Sequence, residues 1–98
     1  MNVRVIAGEY GGRQLACPPG ERTHPMGERV RGSLFNIVGD LTGKNILDAF
    51  AGSGAMGFEA LSRGARQVTF VERDKVAQRV ISENITTLGL DEEARLIR

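Results

Sequence analysis

Asp48-Ala49-Phe50-Ala51-Gly52-Ser53-Gly54-Ala55-Met56-Gly57 is the stretch that decides the fold. Gly52, Gly54 and Gly57 fit the pattern G-x-G-x-x-G. Asn45 to Phe50, just before them, is a short apolar run that ends in glycine and is predicted to be a buried strand. Ala55 to Arg63, just after, is predicted to be a helix, with Phe58 and Leu61 on one side and Gly64 beyond its end. Glycine permits a tight turn and lets a ligand approach bare backbone. The start of the helix offers unpaired N–H groups. Ligands of open α/β sheets lie at the carboxyl ends of the strands. The next predicted strand, Gln67 to Val71, is followed by Glu72, 20 residues after Gly52. A carboxylate there can accept hydrogen bonds from both hydroxyls of a ribose. Strand before, helix after and acid at the next strand end point to a nucleoside-containing ligand. The plain alternative is that Gly52 and Gly54 only make a tight turn.

Outward from this junction the alternation continues. Asp74 can cap a helix over Lys75 to Leu88. Val76, Ala77, Val80, Ile81, Ile85 and Leu88 give that helix an apolar face, and Gly89 stops it. Ala94 to Ile97 begins a further strand. Strand, helix, strand, helix, strand implies parallel strands joined by right-handed crossovers. Towards the N-terminus, Val3, Val5 and Ala7 alternate with Arg4 and Ile6. Gly11-Gly12 signals a turn, and Leu15 and Cys17 alternate beyond it, so a hairpin is predicted. Pro18-Pro19-Gly20 ends it, and Glu21 to Gly27 is a loop. Glu28 to Val38 is predicted to be a helix that buries a stripe of Val30, Leu34, Ile37 and Val38, with Gly39 as its stop. The chain thus divides into residues 1–43 (hairpin, loop and helix) and residues 44–98 (the alternating part).

Composition narrows the partners. The 98 residues suffice for one small domain, with 41% hydrophobic and 26% charged residues and a net charge of +1. That balance excludes an acidic tail and a strongly basic nucleic-acid module but leaves room for a local basic patch. The single cysteine, Cys17, cannot form an internal disulfide or a zinc knuckle, which fits a reducing compartment. No apolar run approaches the roughly 18 residues that span a bilayer. Met1 to Gly8 alternates and carries Arg4, unlike a signal peptide. The expectation is a cytoplasmic protein without metal or membrane contact.

The identity of the nucleoside turns on Asp48. A dinucleotide lays its pyrophosphate over the glycines, and a carboxylate four residues before Gly52 would repel it. The same carboxylate suits a ligand with a cationic ammonium group. S-adenosylmethionine has one, together with a ribose for Glu72. Asp48 can also be a structural acid that caps loop amides, and Glu72 can be a strand-end acid paired with Arg73. Dinucleotide folds usually begin at their first strand, whereas 44 residues precede Asn45. Arg4, Arg13, Arg22, Arg29 and Arg31 could contact phosphates, but Glu9, Glu21 and Glu28 interleave with them, and a solvated face fits as well. His24 reads as a surface histidine, Cys17 as a strand residue, Asn84 as a polar-face position, and Phe35 and Phe58 as core.

Several segments resemble the RsmD-type ribosomal RNA methyltransferases. They are Val5-Ile6-Ala7-Gly8, Gly12-Arg13 with Leu15, Arg29-Val30-Arg31 and Ser33-Leu34-Phe35-Asn36-Ile37. They continue with Phe50-Ala51-Gly52-Ser53-Gly54-Ala55, Glu59-Ala60-Leu61-Ser62-Arg63-Gly64-Ala65, Val71-Glu72-Arg73-Asp74, and Asn84 with Leu88-Gly89-Leu90. The resemblance covers essentially the whole chain and is most specific from Phe50 to Ala65. It implies a class I, Rossmann-like α/β fold and S-adenosylmethionine as cofactor. It also implies methylation of a guanine exocyclic amine in small-subunit ribosomal RNA or its assembly intermediate. By position, Asp48, Phe50, Ala51, Gly52, Ser53 and Gly54 form the cofactor loop, with Glu72 as ribose acid and Arg73 beside it. The segment from His24 to Arg31, including Arg29, corresponds to one that closes over the cofactor. Arg4, Arg13 and Arg31 are the RNA-contact candidates, and the whole protein is expected to be a monomer. His24-Pro25-Met26-Gly27-Glu28 departs from the family's Arg-Pro-Thr-Thr-Asp.

The family's catalytic signature, Asp or Asn followed by Pro-Pro and an aromatic after the fourth strand, is not found between residues 1 and 98. The expectation is a sheet truncated after about its third strand, with catalytic groups beyond Arg98. Such a chain leaves its first strand open on one edge and is expected to self-associate and to transfer no methyl group alone. A side chain at Gly54 is expected to harm ligand binding more than folding. The competing functions are a dinucleotide-binding oxidoreductase domain and a non-catalytic RNA-binding module.

Overall fold

A computed structural model describes residues 3–17, 27–49 and 51–98. The elements run β1 (Val3–Arg4), β2 (Gln14–Leu15), α1 (Glu28–Val38), β3 (Asn45–Ala49), α2 (Ala55–Ser62), β4 (Gln67–Val71), α3 (Lys75–Leu88) and β5 (Ala94–Ile97). β3, β4 and β5 form a parallel sheet in that order, with Ala49 opposite Val71 and Val71 opposite Ile97. The parallel β-α-β-α-β order therefore stands as the alternating pattern predicts. α3 is bounded as its ends dictate: the Asp74 carboxylate accepts from Ala77 N at 2.9 Å, and Gly89 terminates the helix at φ 69°.

The N-terminal hairpin is shorter than its alternation predicts. β1 and β2 pair antiparallel over two residues each, Val3 with Leu15 and Arg4 with Gln14. Beyond them Val5 N–H donates to Arg13 O and Gly12 N–H to Val5 O. The hairpin is held from outside. Asn84 accepts from Ala16 N at 2.8 Å and donates to Ala16 O at 3.0 Å, so its amide acts as a neighbouring strand would. Asn84 is thus a buried anchor, not the polar-face position its spacing suggests. The chain of α2 does the same at its end, where Ser62 O accepts from Glu9 N and Ser62 Oγ from Tyr10 N. Val3, Val5, Leu15 and Phe35 share one apolar core with Phe58, Val68, Phe70, Ile81 and Leu90. Residues 1–43 and 44–98 are therefore packed around the same centre.

α1 corrects the sequence reading most. Its buried residues are Arg31 and Phe35, whereas Val30, Ile37 and Val38 are 58%, 83% and 54% exposed. The reason lies on α2. Glu59 is fully buried there, and it draws the Arg31 guanidinium to an Nε–Oε1 distance of 3.6 Å. Arg31 also donates to Arg4 O. Arg63 takes the other Glu59 oxygen at 2.8 Å and lies 5.0 Å from the centre of the Phe35 ring. The charge pair, not the apolar stripe, sets the rotation of the helix. Arg31, an RNA-contact candidate by sequence, is accordingly a core residue.

Among the described residues β3 pairs only with β4, and Leu47 on β3 is 67% exposed. Phe35, Val38, Leu41, Ile46, Leu47 and Met56 line an apolar groove of about 250 Å³ beside that free edge. No helix among the described residues is long and apolar enough to cross a membrane.

Candidate functional site

The site begins where β3 ends. Ala51 N–H donates to Val71 O, which carries the parallel register one step past the strand. Gly54 N–H then closes a turn onto Ala51 O at 2.9 Å. Gly52 and Gly54 take positive φ, 58° and 85°. The turn delivers the chain into α2, whose N-cap, Gly54, has no side chain to cap it. Asp48 supplies the missing acceptor from the preceding strand: its Oδ2 accepts from Gly57 N at 3.1 Å. Ser53, buried, adds a longer bond from Ala55 N at 3.4 Å.

Glu72 lies across from this turn at the end of β4. It is 9% exposed, and its two oxygens accept from Gly52 N at 2.7 Å and Asp74 N at 2.8 Å. Each oxygen keeps acceptor capacity after one such bond. The carboxylate is thus aimed at the glycine loop by backbone amides rather than paired with Arg73, which is exposed. Gln78 donates to Glu72 O at 2.7 Å and holds the strand end from the side of α3. Burial pushes the Asp48 carboxyl up to about 6, against the pull of the Gly57 N–H, and nearby Glu72 pushes the same way.

The glycines do different work from that expected. A Cβ on Gly54 would lie 2.6 Å from the Phe58 ring and 3.3 Å from the Phe70 ring. A Cβ on Gly57 would lie 2.3 Å from Phe70 and 2.9 Å from Val68. Both glycines let α2 sit close on the sheet, and Phe58 and Phe70 pack beneath with ring centres 4.8 Å apart and planes tilted by 40°. The side of Gly54 that a substituent would fill is core, not ligand space. Phe50 and His24 lie outside the described residues. Arg29 is exposed on the first turn of α1, Arg4 pairs with Glu28 at 2.8 Å, and Arg13 donates to Thr87 O. The structure therefore brings Asp48, Gly52, Ser53 and Glu72 together and leaves Arg29, Arg4 and Arg13 apart from them. Among the described residues no group of His, Cys, Asp or Glu is placed to hold a metal ion.

A parallel sheet with a glycine turn after its first strand and an acid after its second is the fold of the class I methyltransferases. Residues 3–98 match the family described as "Conserved hypothetical protein 95", and the chain belongs to that family. It is 45% identical over 92 residues to the ribosomal RNA small subunit methyltransferase D of Haemophilus influenzae, covering 93% of this chain and 48% of that protein. To the putative rRNA methyltransferase YlbH of Bacillus subtilis it is 42% identical, covering 98% of this chain and 53% of the relative. The solved structure of the putative methyltransferase yhhF from Escherichia coli superposes with a TM-score of 0.87 at 38% identity, over 99% of this chain and 52% of that one. The chain spans about half the length of the curated relatives it matches.

Proposed function

We propose that residues 1–98 form the cofactor-binding half of an S-adenosylmethionine-dependent methyltransferase acting on small-subunit ribosomal RNA, at a guanine exocyclic amine. The supporting observation is the pair of carboxylates, Asp48 and Glu72, at adjacent strand ends around one glycine turn. Glu72 is suited to two ribose hydroxyls, and Asp48 to the cofactor's ammonium. A pyrophosphate between two carboxylates would be repelled, which disfavours the dinucleotide reading. When bound, the cofactor supplies an electrophilic methyl group on a sulfonium. The chain's own part is to hold it: backbone amides orient Glu72, and Asp48 stiffens the start of α2. The groups that align the target amine are expected outside residues 1–98, and the whole protein is read as a cytoplasmic monomer.

Calorimetry with S-adenosylhomocysteine and NAD tests the reading. Only the first should bind. Glu72→Ala should weaken it by about 1.5–3 kcal/mol, the worth of hydrogen bonds to a charged acceptor. Glu72→Gln, which keeps one acceptor oxygen, should lose less. Unchanged affinity in both variants rejects Glu72 as the ribose acid.

Asp48 makes a pH prediction. Its folded value, about 6, lies above the ordinary 3.8, so between them the folded state holds more proton than the unfolded. This raised carboxyl therefore favours folding most below about pH 4, and that contribution is lost as pH rises through 6. The stability difference between wild type and Asp48→Asn should shift in that window, with wild type losing ground. Denaturant midpoints from pH 4 to 7 that keep a constant difference would exclude the buried, raised carboxyl. A cationic ligand should bind more tightly as Asp48 ionises, across the same window.

A further inference from the structure

Lys75, Arg79 and Arg98, with Gln78 and Ser82 between them, line an open groove of about 390 Å³ along α3 and the end of β5. We infer that this groove carries the phosphate backbone of an RNA strand towards the glycine turn. The inference rests on the methyltransferase reading for its direction, and on the groove itself for its chemistry.

Among the described residues no acid lines the groove. Of the neighbouring acids, Asp74 accepts from the amide of Ala77 and Glu72 from the amides of Gly52 and Asp74, while Glu83, four residues on from Arg79, forms no ion pair with it among the described residues. None of the three cations is in an ion pair among the described residues. Their charge is left for a ligand. Lysine and arginine gather beside the carboxyl ends of β4 and β5, although Lys44 and Arg66 precede β3 and β4 at the other end. Arg73, Lys75 and Arg98 follow the carboxyl ends of β4 and β5, and Arg79 is one helical turn on from Lys75. Asp91, Glu92 and Glu93 lie at the amino end of β5. Lys75 and Arg98 thus share the end of the sheet that holds Asp48, Glu72 and the glycine turn.

The lining also selects the type of ligand. Three cations spread along an open channel match successive phosphates better than one enclosed anion. Gln78 and Ser82 offer hydrogen bonds to phosphate oxygens or to a 2′-hydroxyl. Among the described residues no aromatic side chain lines the groove for base stacking, so the contact is to the backbone and independent of sequence. Gln78, bonded to Glu72 O, ties this surface directly to the strand end at the site.

The test is the salt dependence of binding to a single-stranded fragment of small-subunit ribosomal RNA, followed by fluorescence anisotropy. Neutralising two phosphate contacts on a single strand should lower the log–log slope by about 1.4. K75Q/R79Q is expected to show that drop and to lose roughly tenfold or more in affinity at low salt. K44Q/R66Q makes the same change in net charge at the opposite end of the sheet and should bind as wild type does. A slope unchanged in K75Q/R79Q, or lowered equally in K44Q/R66Q, overturns the groove. S-adenosylhomocysteine affinity, measured in parallel, should be the same in all three proteins. If wild type itself fails to bind S-adenosylhomocysteine, the methyltransferase reading falls and the slopes alone decide the groove.

Discussion

Glu59→Ala should remove about 3–5 kcal/mol of stability, the usual cost of taking one partner from a buried ion pair. A domain of this size has about 5–15 kcal/mol in all. Glu59 is fully buried on α2. Its oxygens accept from Ile6 N at 2.8 Å, Ala7 N at 3.1 Å and Arg63 Nε at 2.8 Å, and face Arg31 at 3.6 Å. Alanine would leave the backbone amides of Ile6 and Ala7 without acceptors and the Arg31 guanidinium, 1% exposed, without its counter-charge. Glu59→Gln keeps an acceptor for one amide but presents N–H groups to the remaining donors, so an intermediate loss is expected. Urea unfolding measures both. A loss below about 1 kcal/mol for Glu59→Ala would mean that the network does not hold α1 and the hairpin to α2. The pair need not be more stabilising than two apolar residues. Its effect is orientation, since it is what turns Arg31 and Phe35, rather than Val30 and Ile37, towards the centre.

Gly54→Val should come next in size, at about 2–5 kcal/mol from two sources. The left-handed φ of 85° costs a residue with a Cβ about 1–2 kcal/mol, and a β-branched residue is worse suited still. Overpacking the Phe58 and Phe70 rings, with a Cβ as near as 2.6 Å, adds about 1–3 kcal/mol. Gly57→Ala separates the two, because Gly57 is helical and carries only the collision, with Phe70 and Val68, and no left-handed φ. Thermal melting with and without S-adenosylhomocysteine decides the case. The expected outcome is a large fall in melting temperature for Gly54→Val without ligand. An unchanged melt with lost binding would restore the reading in which Gly54 clears space for the ligand.

The glycine motif was legible because it joins two local signals, the end of an apolar run and the start of a helical period. The positions of Asp48 and Glu72 followed, since strand ends are read from the same periodicity. What each group touches was not legible. That Asp48 caps α2 and that Glu72 binds Gly52 N depend on a turn that brings residues 9 and 20 apart in sequence into hydrogen-bond contact. Lys75 and Arg79 do leave a trace, as two cations one helical turn apart. Arg98 joins them only because β5 lies beside β4.

The sequence by itself determined the alternation of strand and helix, the caps at Asp74 and Gly89, the buried face of α3 apart from Val76, which is exposed, and Asn84, which is buried, and the placement of an acid at each of two strand ends. These are set by propensity and spacing within a few residues, and they need no distant partner. Only the tertiary structure decided which way α1 turns, what Asn84 does, why Gly54 and Gly57 must be glycine, and where free positive charge collects. Each of these depends on a group far off in the chain. Glu59 draws in Arg31 and Asn84 pairs with Ala16. Phe70 closes on the glycines, and β5 sets Arg98 against α3. An apolar stripe is favourable against any apolar surface, whereas a buried guanidinium has few places to go. The specific charge partner therefore prevailed over the pattern.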